Sequence, residues 1–146
     1  MNAREGTDLN ARNIAEFRSS GGTVSSFGDA PLLLLTTTGV KTGKLRTSPV
    51  MYLADERDPD RVYVFASAAG ADDDPKWFKN HVAHPSEVTV EIGRETLTAE
   101  AEIVPEPTRA EIYAAQAARY PGFASYQAKT SRRIPVVALT LHRTPR

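Results

Sequence analysis

Three cations fall within six residues of this 146-residue chain, at Lys41, Lys44 and Arg46. They lie in or just after Gly39-Val40-Lys41-Thr42-Gly43-Lys44, a turn between two strand-like runs. From Ala30 to Ala54 there is no Asp or Glu, although the whole chain balances 18 basic against 18 acidic residues. The turn is therefore a local positive field on a neutral molecule. Backbone N–H groups, hydroxyls and three cations suit an anionic group such as a phosphate or carboxylate. Spacing alone leaves a second reading open, a solvated hairpin turn with lysines that serve solubility. A P-loop is excluded. That pattern needs four residues between its glycines, Ser or Thr after the lysine, and a helix next. Here three residues separate Gly39 from Gly43, Leu45 follows Lys44, and the next run contains Pro49.

Other reactive residue types are sparser. His81 and His84 stand three apart near a predicted helix end, downstream of Asp72–Asp74. A metal site would need a third good ligand and an open position, so the pair reads as a surface pair favoured by the helix dipole. Ser67 follows a strand, but Ala66-Ser67-Ala68 is no nucleophile elbow; Ser67 reads as a hydrogen-bond donor to a ligand. Tyr120, Phe123 and Tyr126 recur every third residue among small ones. That spacing suits core packing or a lid, and Pro121-Gly122 argues against one continuous helix, so a loop closing over something flat is expected.

The elements that must position these residues follow from periodicity. Leu9–Arg18 reads as an amphipathic helix and Ser19–Ala30 as a mobile Gly/Ser-rich connector. Strands are expected at Leu32–Thr38, Arg46–Leu53, Val62–Ser67, Glu87–Ile92, Glu95–Val104 and Ile134–His142, with a hairpin turn at Gly93-Arg94. Pro49 warns of an edge or a bulge in the second. Helices are expected at Pro75–Val82, stopped before His84-Pro85, and at Pro107–Arg119. Strands and helices do not alternate strictly, which favours an α+β, mainly-β barrel over a doubly wound parallel sheet. Residues 1–30 form an N-terminal helix and connector, and residues 31–146 form the barrel domain.

Bulk properties narrow the function. The length suits one domain with a real core. Zero net charge argues against nucleic acid or a basic membrane anchor. The absence of cysteine excludes disulfides, thiolate metal sites and a cysteine nucleophile, and fits a reducing cytoplasm. No apolar run approaches a membrane span, and the first residues do not form a secretory signal.

Four segments in order carry a resemblance: TTTGVKTGKLRTSP, ASAAGADDDPKWFKN, HPSEVTVEIG and YPGFASYQAKTSRRIP. Together they resemble the deazaflavin (coenzyme F420)-dependent nitroreductase and quinone reductase family, over about Leu32 to Leu141. The resemblance implies a split β-barrel of the flavin-mononucleotide-binding type, with an N-terminal helix and two further helices. It implies coenzyme F420, a two-electron deazaflavin carrier with a phosphodiester and an acidic tail. By position, Val40, Lys41, Thr42, Arg46, Thr47 and Ser48 would hold the phosphate and tail. Phe65, Ala66, Ser67 and Ala68 would border the ring. Lys76, Trp77, Phe78, Lys79 and Asn80 would flank ring and tail, and Tyr120, Phe123 and Tyr126 would cover the substrate side.

The implied reaction is hydride transfer from reduced coenzyme to an electron-poor acceptor such as a quinone, an activated alkene or a nitroaromatic. Ser67, Tyr120 and Tyr126 are the candidates to polarise or protonate that acceptor. Nitro-reducing relatives have tyrosine where this chain has Phe123, and a phenyl ring cannot donate to a developing oxyanion. That argues against bulky nitroimidazoles as substrates. The same relatives carry Lys at the position of Ala68. Two alternatives share the anchor: a carrier of deazaflavin or another flat ligand without turnover, and a flavin-mononucleotide oxidoreductase of the same barrel type. A monomer or homodimer is expected in the cytoplasm, peripheral at a membrane if the substrate is a lipid-soluble quinone.

Overall fold

The computed structural model describes residues 3–39, 43–83 and 88–142, with side chains from Asn10 onward. Among the described residues ten α-helices and β-strands follow one another. They are α1 (Ala3–Ser20), β1 (Leu32–Thr38), β2 (Leu45–Ala54), β3 (Arg61–Phe65), α2 (Lys76–Ala83), β4 (Val88–Ile92), β5 (Glu95–Ile103), α3 (Thr108–Arg119), α4 (Gly122–Lys129) and β6 (Val136–His142). The strands close an antiparallel barrel in the order β1-β2-β3-β6-β5-β4. This is the expected split-barrel class.

The apolar runs of β1 and β6 are continuous because both faces of these strands are covered. Leu33 and Leu35 point into the barrel with Val64, Val90, Val137 and Leu139. Leu32 and Leu34 point outward, under Phe17 of α1. Val136 and Ala138 of β6 point outward into a second cluster with Phe65, Tyr113 and Phe123. A fully buried Leu or Phe contributes about 1.5–3 kcal/mol, so these clusters fix which side each helix must pack on.

Helix α1 docks on the barrel rather than standing apart from it. Phe17 is buried, Arg18 makes a bidentate pair with Glu91 at 2.9 Å, and Asn10 donates to the Thr47 carbonyl at 3.3 Å. The Asn10 bond falls where β2 is half open. β2 pairs with β1 from Leu45 to Met51, but with β3 only from Tyr52 to Ala54. Pro49 sits in that one-sided stretch, which is the edge position its missing N–H demands.

Helix α2 closes one end of the barrel. Trp77 and Phe78 join the interior cluster, their rings edge-on at 6.0 Å, and Asn80 donates to Thr37 Oγ1 at 3.2 Å. His81 corrects an expectation. It is buried, not at the surface, because it shares the inward side of α2, and its Nδ1 has no partner. His84 lies outside the described residues. Burial holds the His81 pKa below the ordinary 6.5, so the unfolded chain takes up the proton first. Stability should be full above that ordinary value and be lost as pH falls from it toward the depressed folded value. Urea denaturation at about pH 7.5 and about pH 5.5 checks this. The midpoint should drop at the lower pH, and His81→Leu should flatten the difference.

Two further corrections concern the helices. Three follow α1, not two, since Gly122–Lys129 is helical where a closing loop is expected. Pro121 interrupts the preceding helix, as expected, but its φ of −57° and ψ of −20° are already helical, so it starts α4 instead of a loop. α1 also begins earlier than its apolar periodicity indicates, at Ala3. Among the described residues, no helix is long and apolar enough to cross a membrane.

Candidate active site

Strand directions gather the predicted residues at one end of the barrel. β1 ends at Thr38, and β2, its antiparallel partner, starts at Leu45 on the same side. β3 is antiparallel to β2 and therefore ends at Phe65 on that side too. β6 starts there, with Val136 opposite Phe65. The β1–β2 turn, the loop after β3, helix α2 and the segment before β6 thus share one end. At this end β2 and β3 part, because their ladder stops at Tyr52–Val64. The opening has Arg46, Thr47 and Ser48 on one flank and Phe65–Ala68 on the other. Val40, Lys41 and Thr42 lie outside the described residues.

The β2 flank is polar. Arg46 is exposed and Ser48 half-buried, on the same side of the strand as Val50 and Tyr52, which pack on the barrel interior. Thr47 faces the other way and its Oγ1 pairs with Thr36 Oγ1 at 2.8 Å. Thr47 is therefore already partnered, while the guanidinium of Arg46 meets solvent.

The β3 flank is aromatic and tightly held. Phe65, Tyr113 and Phe123 pack edge to face, with centroids 5.5 to 6.2 Å apart, and Tyr126 adds a fourth ring 5.3 Å from Phe123. Such pairs contribute about 0.5–1.5 kcal/mol each beyond their burial. Phe123 is buried; Tyr120 and Tyr126 are half-buried at the margin of the cluster. The Tyr113 hydroxyl donates to the Phe123 carbonyl at 2.6 Å, and burial pushes its pKa up to about 12. Tyr113 is thus a strut for α4 and a poor proton donor. Tyr120 and Tyr126 are less buried than Tyr113.

Ser67 is half-buried, and Ala68 and Ala69 are exposed with φ of 45° and 53°. Left-handed backbone at two successive alanines is strained, at about 1–2 kcal/mol per residue, and such strain clusters where a ligand meets the backbone. What holds it is Arg132, which sequence reasoning missed. Its guanidinium donates to the carbonyls of Ala66 (3.0 Å), Ser67 (2.9 Å) and Ala71 (2.8 Å) and to Asp74 Oδ1 (3.0 Å). The one available signal was charge: an arginine pair late in the chain, against the aspartates of residues 72–74.

The α2 residues divide by side. Trp77, Phe78 and Asn80 turn inward to the barrel, whereas Lys76 and Lys79 are exposed. Lys79 pairs with Asp73 at 2.6 Å, holding that carboxyl below its usual range. Both groups are exposed, so the pair adds little to stability.

Comparison with known proteins decides which family the chain belongs to. The family model described as F420H(2)-dependent quinone reductase matches residues 10–141. The chain belongs to that family. Membership makes it an oxidoreductase that works with coenzyme F420. An F420H(2)-dependent quinone reductase of Mycobacterium tuberculosis is 38% identical over 118 residues, covering 77% of this chain and 75% of that one. A solved F420-H2 dependent reductase aligns with a TM-score of 0.64 at 34% identity, over 75% of this chain and 93% of its own. Another solved chain, described as a domain-swapped dimer, aligns at 0.66 with 32% identity, over 92% of this chain and 98% of its own.

The donors at the β2–β3 opening fit the coenzyme of this family. An exposed guanidinium and the Ser48 hydroxyl suit a polyanionic tail. The aromatic, small-residue flank suits a planar ring.

Proposed function

We propose that this protein reduces quinones with coenzyme F420, binding it across the opening where β2 and β3 part. One observation carries the proposal: in a quinone reductase family member, an exposed cationic strand edge faces a strained, aromatic-backed loop across that opening. Lys41 and Arg46, with Val40, Thr42, Thr47 and Ser48, hold the phosphate and acidic tail. Phe65, Ala66, Ser67 and Ala68 border the ring. Lys76 and Lys79 flank the tail from α2, held in place by the anchored side chains of Trp77, Phe78 and Asn80. The bound coenzyme supplies the hydride.

This chain's part is orientation and proton supply. Holding donor and acceptor atoms at about 3–3.5 Å provides much of the rate. Phe123 backs the acceptor side without donating a proton, which disfavours bulky nitroimidazoles and leaves quinones as the leading acceptors, ahead of activated alkenes and small nitroaromatics. Ser67, Tyr120 and Tyr126 supply the hydroxyls that polarise or protonate the acceptor oxygen.

Purified protein mixed with reduced coenzyme and menadione tests this. Coenzyme binding, read by fluorescence, and menadione-dependent coenzyme oxidation are both expected. Absence of binding would sink the proposal. Tight binding without acceleration over a panel of quinones, alkenes and nitroaromatics would make the protein a carrier instead.

A further inference from the structure

Arg132 reaches across a large sequence gap to the loop that carries Ser67, bonding residues 58 to 66 positions upstream. Its side chain is only 16% exposed, and its four acceptors use both terminal nitrogens and Nε. The backbone of residue 132 is fixed in turn by α4. Gln127 Nε2 donates to the Arg132 carbonyl at 2.6 Å, and the Ile134 N–H donates to Gln127 Oε1 at 3.1 Å. Tyr126 is the neighbour of Gln127 on the same helix. The chain of contacts therefore runs from the helix carrying Tyr126, through Arg132, to the loop carrying Ser67.

Peptide geometry gives this clamp a direction. In a trans peptide the C=O and the following N–H point opposite ways. Arg132 draws the Ala66 and Ser67 carbonyls toward itself, so the N–H groups of Ser67 and Ala68 point away from it. Among the described residues, no protein acceptor takes the N–H of Ser67, Ala68 or Ala69. Ser67 is right-handed helical (φ −78°, ψ −37°) and Ala68 follows with φ 45°. A right-handed residue followed by a left-handed one turns successive N–H groups into one concavity.

We infer that Arg132 is a positioning residue for the reaction, locking the Ala66–Ala71 backbone so that its free N–H groups face the coenzyme while α4 sets the acceptor side. This rests on the reading of the loop as the border of the deazaflavin ring. Arg132 touches neither coenzyme nor acceptor. It fixes the distance between the two walls that do.

Arg132→Lys and Arg132→Ala test the inference. Lysine keeps a charge opposite Asp74, but an ammonium on a flexible stem cannot hold three carbonyls in the fixed fork of a guanidinium. Both variants should lower kcat with menadione by about tenfold to a hundredfold, the cost of roughly an ångström of misplacement. Coenzyme affinity should fall by less than kcat, no more than about tenfold, because the tail anchor is untouched and only loop contacts to the ring are disturbed. Guanidinium ion at sub-denaturing concentration should restore part of kcat in Arg132→Ala alone. Amide chemical shifts of Ser67–Gly70 in the ligand-free variants should move, with the strand amides of the barrel unchanged.

Parental kcat in Arg132→Lys would overturn the inference. Unmoved loop amides would do the same. So would loss of activity matched by a broad fall in melting temperature without guanidinium rescue, or a failure of both variants to fold, since each would make Arg132 a residue of general stability. A parent that neither binds nor oxidises the coenzyme would defeat the proposed function, while the amide shifts would still decide whether Arg132 sets the loop.

Discussion

A Lys41→Ala, Arg46→Ala double variant is expected to bind coenzyme F420 about tenfold to a thousandfold more weakly than the parent, with an unchanged melting temperature. Each charged hydrogen bond to an anion contributes about 1.5–3 kcal/mol, and 1.4 kcal/mol is a factor of ten. Arg46 is exposed, opposite Thr37 in the β1–β2 ladder, and in the stretch of β2 that β3 does not pair. Truncating it removes a solvent-facing guanidinium and leaves the backbone ladder intact, which is why stability should hold. Lys41 enters through the local excess of cations in the sequence, since it lies outside the described residues. An exposed anchor is also screened by salt, over a Debye length of about 10 Å at 0.1 M. The parent's affinity should therefore fall as salt rises, and the double variant's should fall less. Fluorescence titration at low and high salt measures both. Equal affinities at low salt would place the coenzyme's acidic end elsewhere.

What the residues disclosed and what they withheld divide along a physical line. Local patterns were legible. The leucines of 32–35 followed by β-branched threonines read as a buried strand, and β1 spans the residues expected of it. Pro49 announced a strand position with no donor, and β2 is one-sided there. The Gly93-Arg94 turn fixed the register of β4 on β5. Relations between distant segments were not legible. That β1, β3 and α2 bring the cationic turn and the Ser67 loop to one end depends on strand directions that no local window contains. The burial of His81 depends on which side of α2 faces the barrel, and a pair of histidines three apart does not say. Pro121-Gly122 was a true break in one helix, but breaking a helix and starting the next use the same fixed φ. Arg132 acts on carbonyls about sixty residues upstream, and backbone acceptors leave no trace in sequence. A motif of polar side chains can be read; an arginine that grips main chain cannot.

The same limit applies to Gly70, where even substitution by alanine should be damaging. Gly70 has φ +83°, and a Cβ there would stand 2.7 Å from the Tyr126 carbonyl oxygen and 2.9 Å from the Tyr126 Cα. Both are backbone atoms of α4, so no rotamer change relieves the contact, and the helix must move. Gly70→Ala should cost about 1–2 kcal/mol for the left-handed backbone and about 1–3 kcal/mol for the overpacking. Gly28 provides a comparison: its φ of +60° and ψ of −132° form a conformation that alanine resists at least as strongly as the left-handed one, but nothing lies within 4 Å of a built Cβ. Gly28→Ala should show the backbone cost alone. A loss in Gly70→Ala at least as large as that in Gly28→Ala, read by urea denaturation, would report the close approach of α4 to the Ser67 loop. If that approach also sets the gap between the coenzyme and the acceptor wall, Gly70→Ala should lower kcat with menadione at temperatures where the variant remains folded, and Gly28→Ala should not. A loss of no more than about 1–2 kcal/mol in Gly70→Ala, the backbone cost alone, would mean that α4 is free to shift. Full activity in Gly70→Ala would mean that the gap between the walls does not limit the reaction.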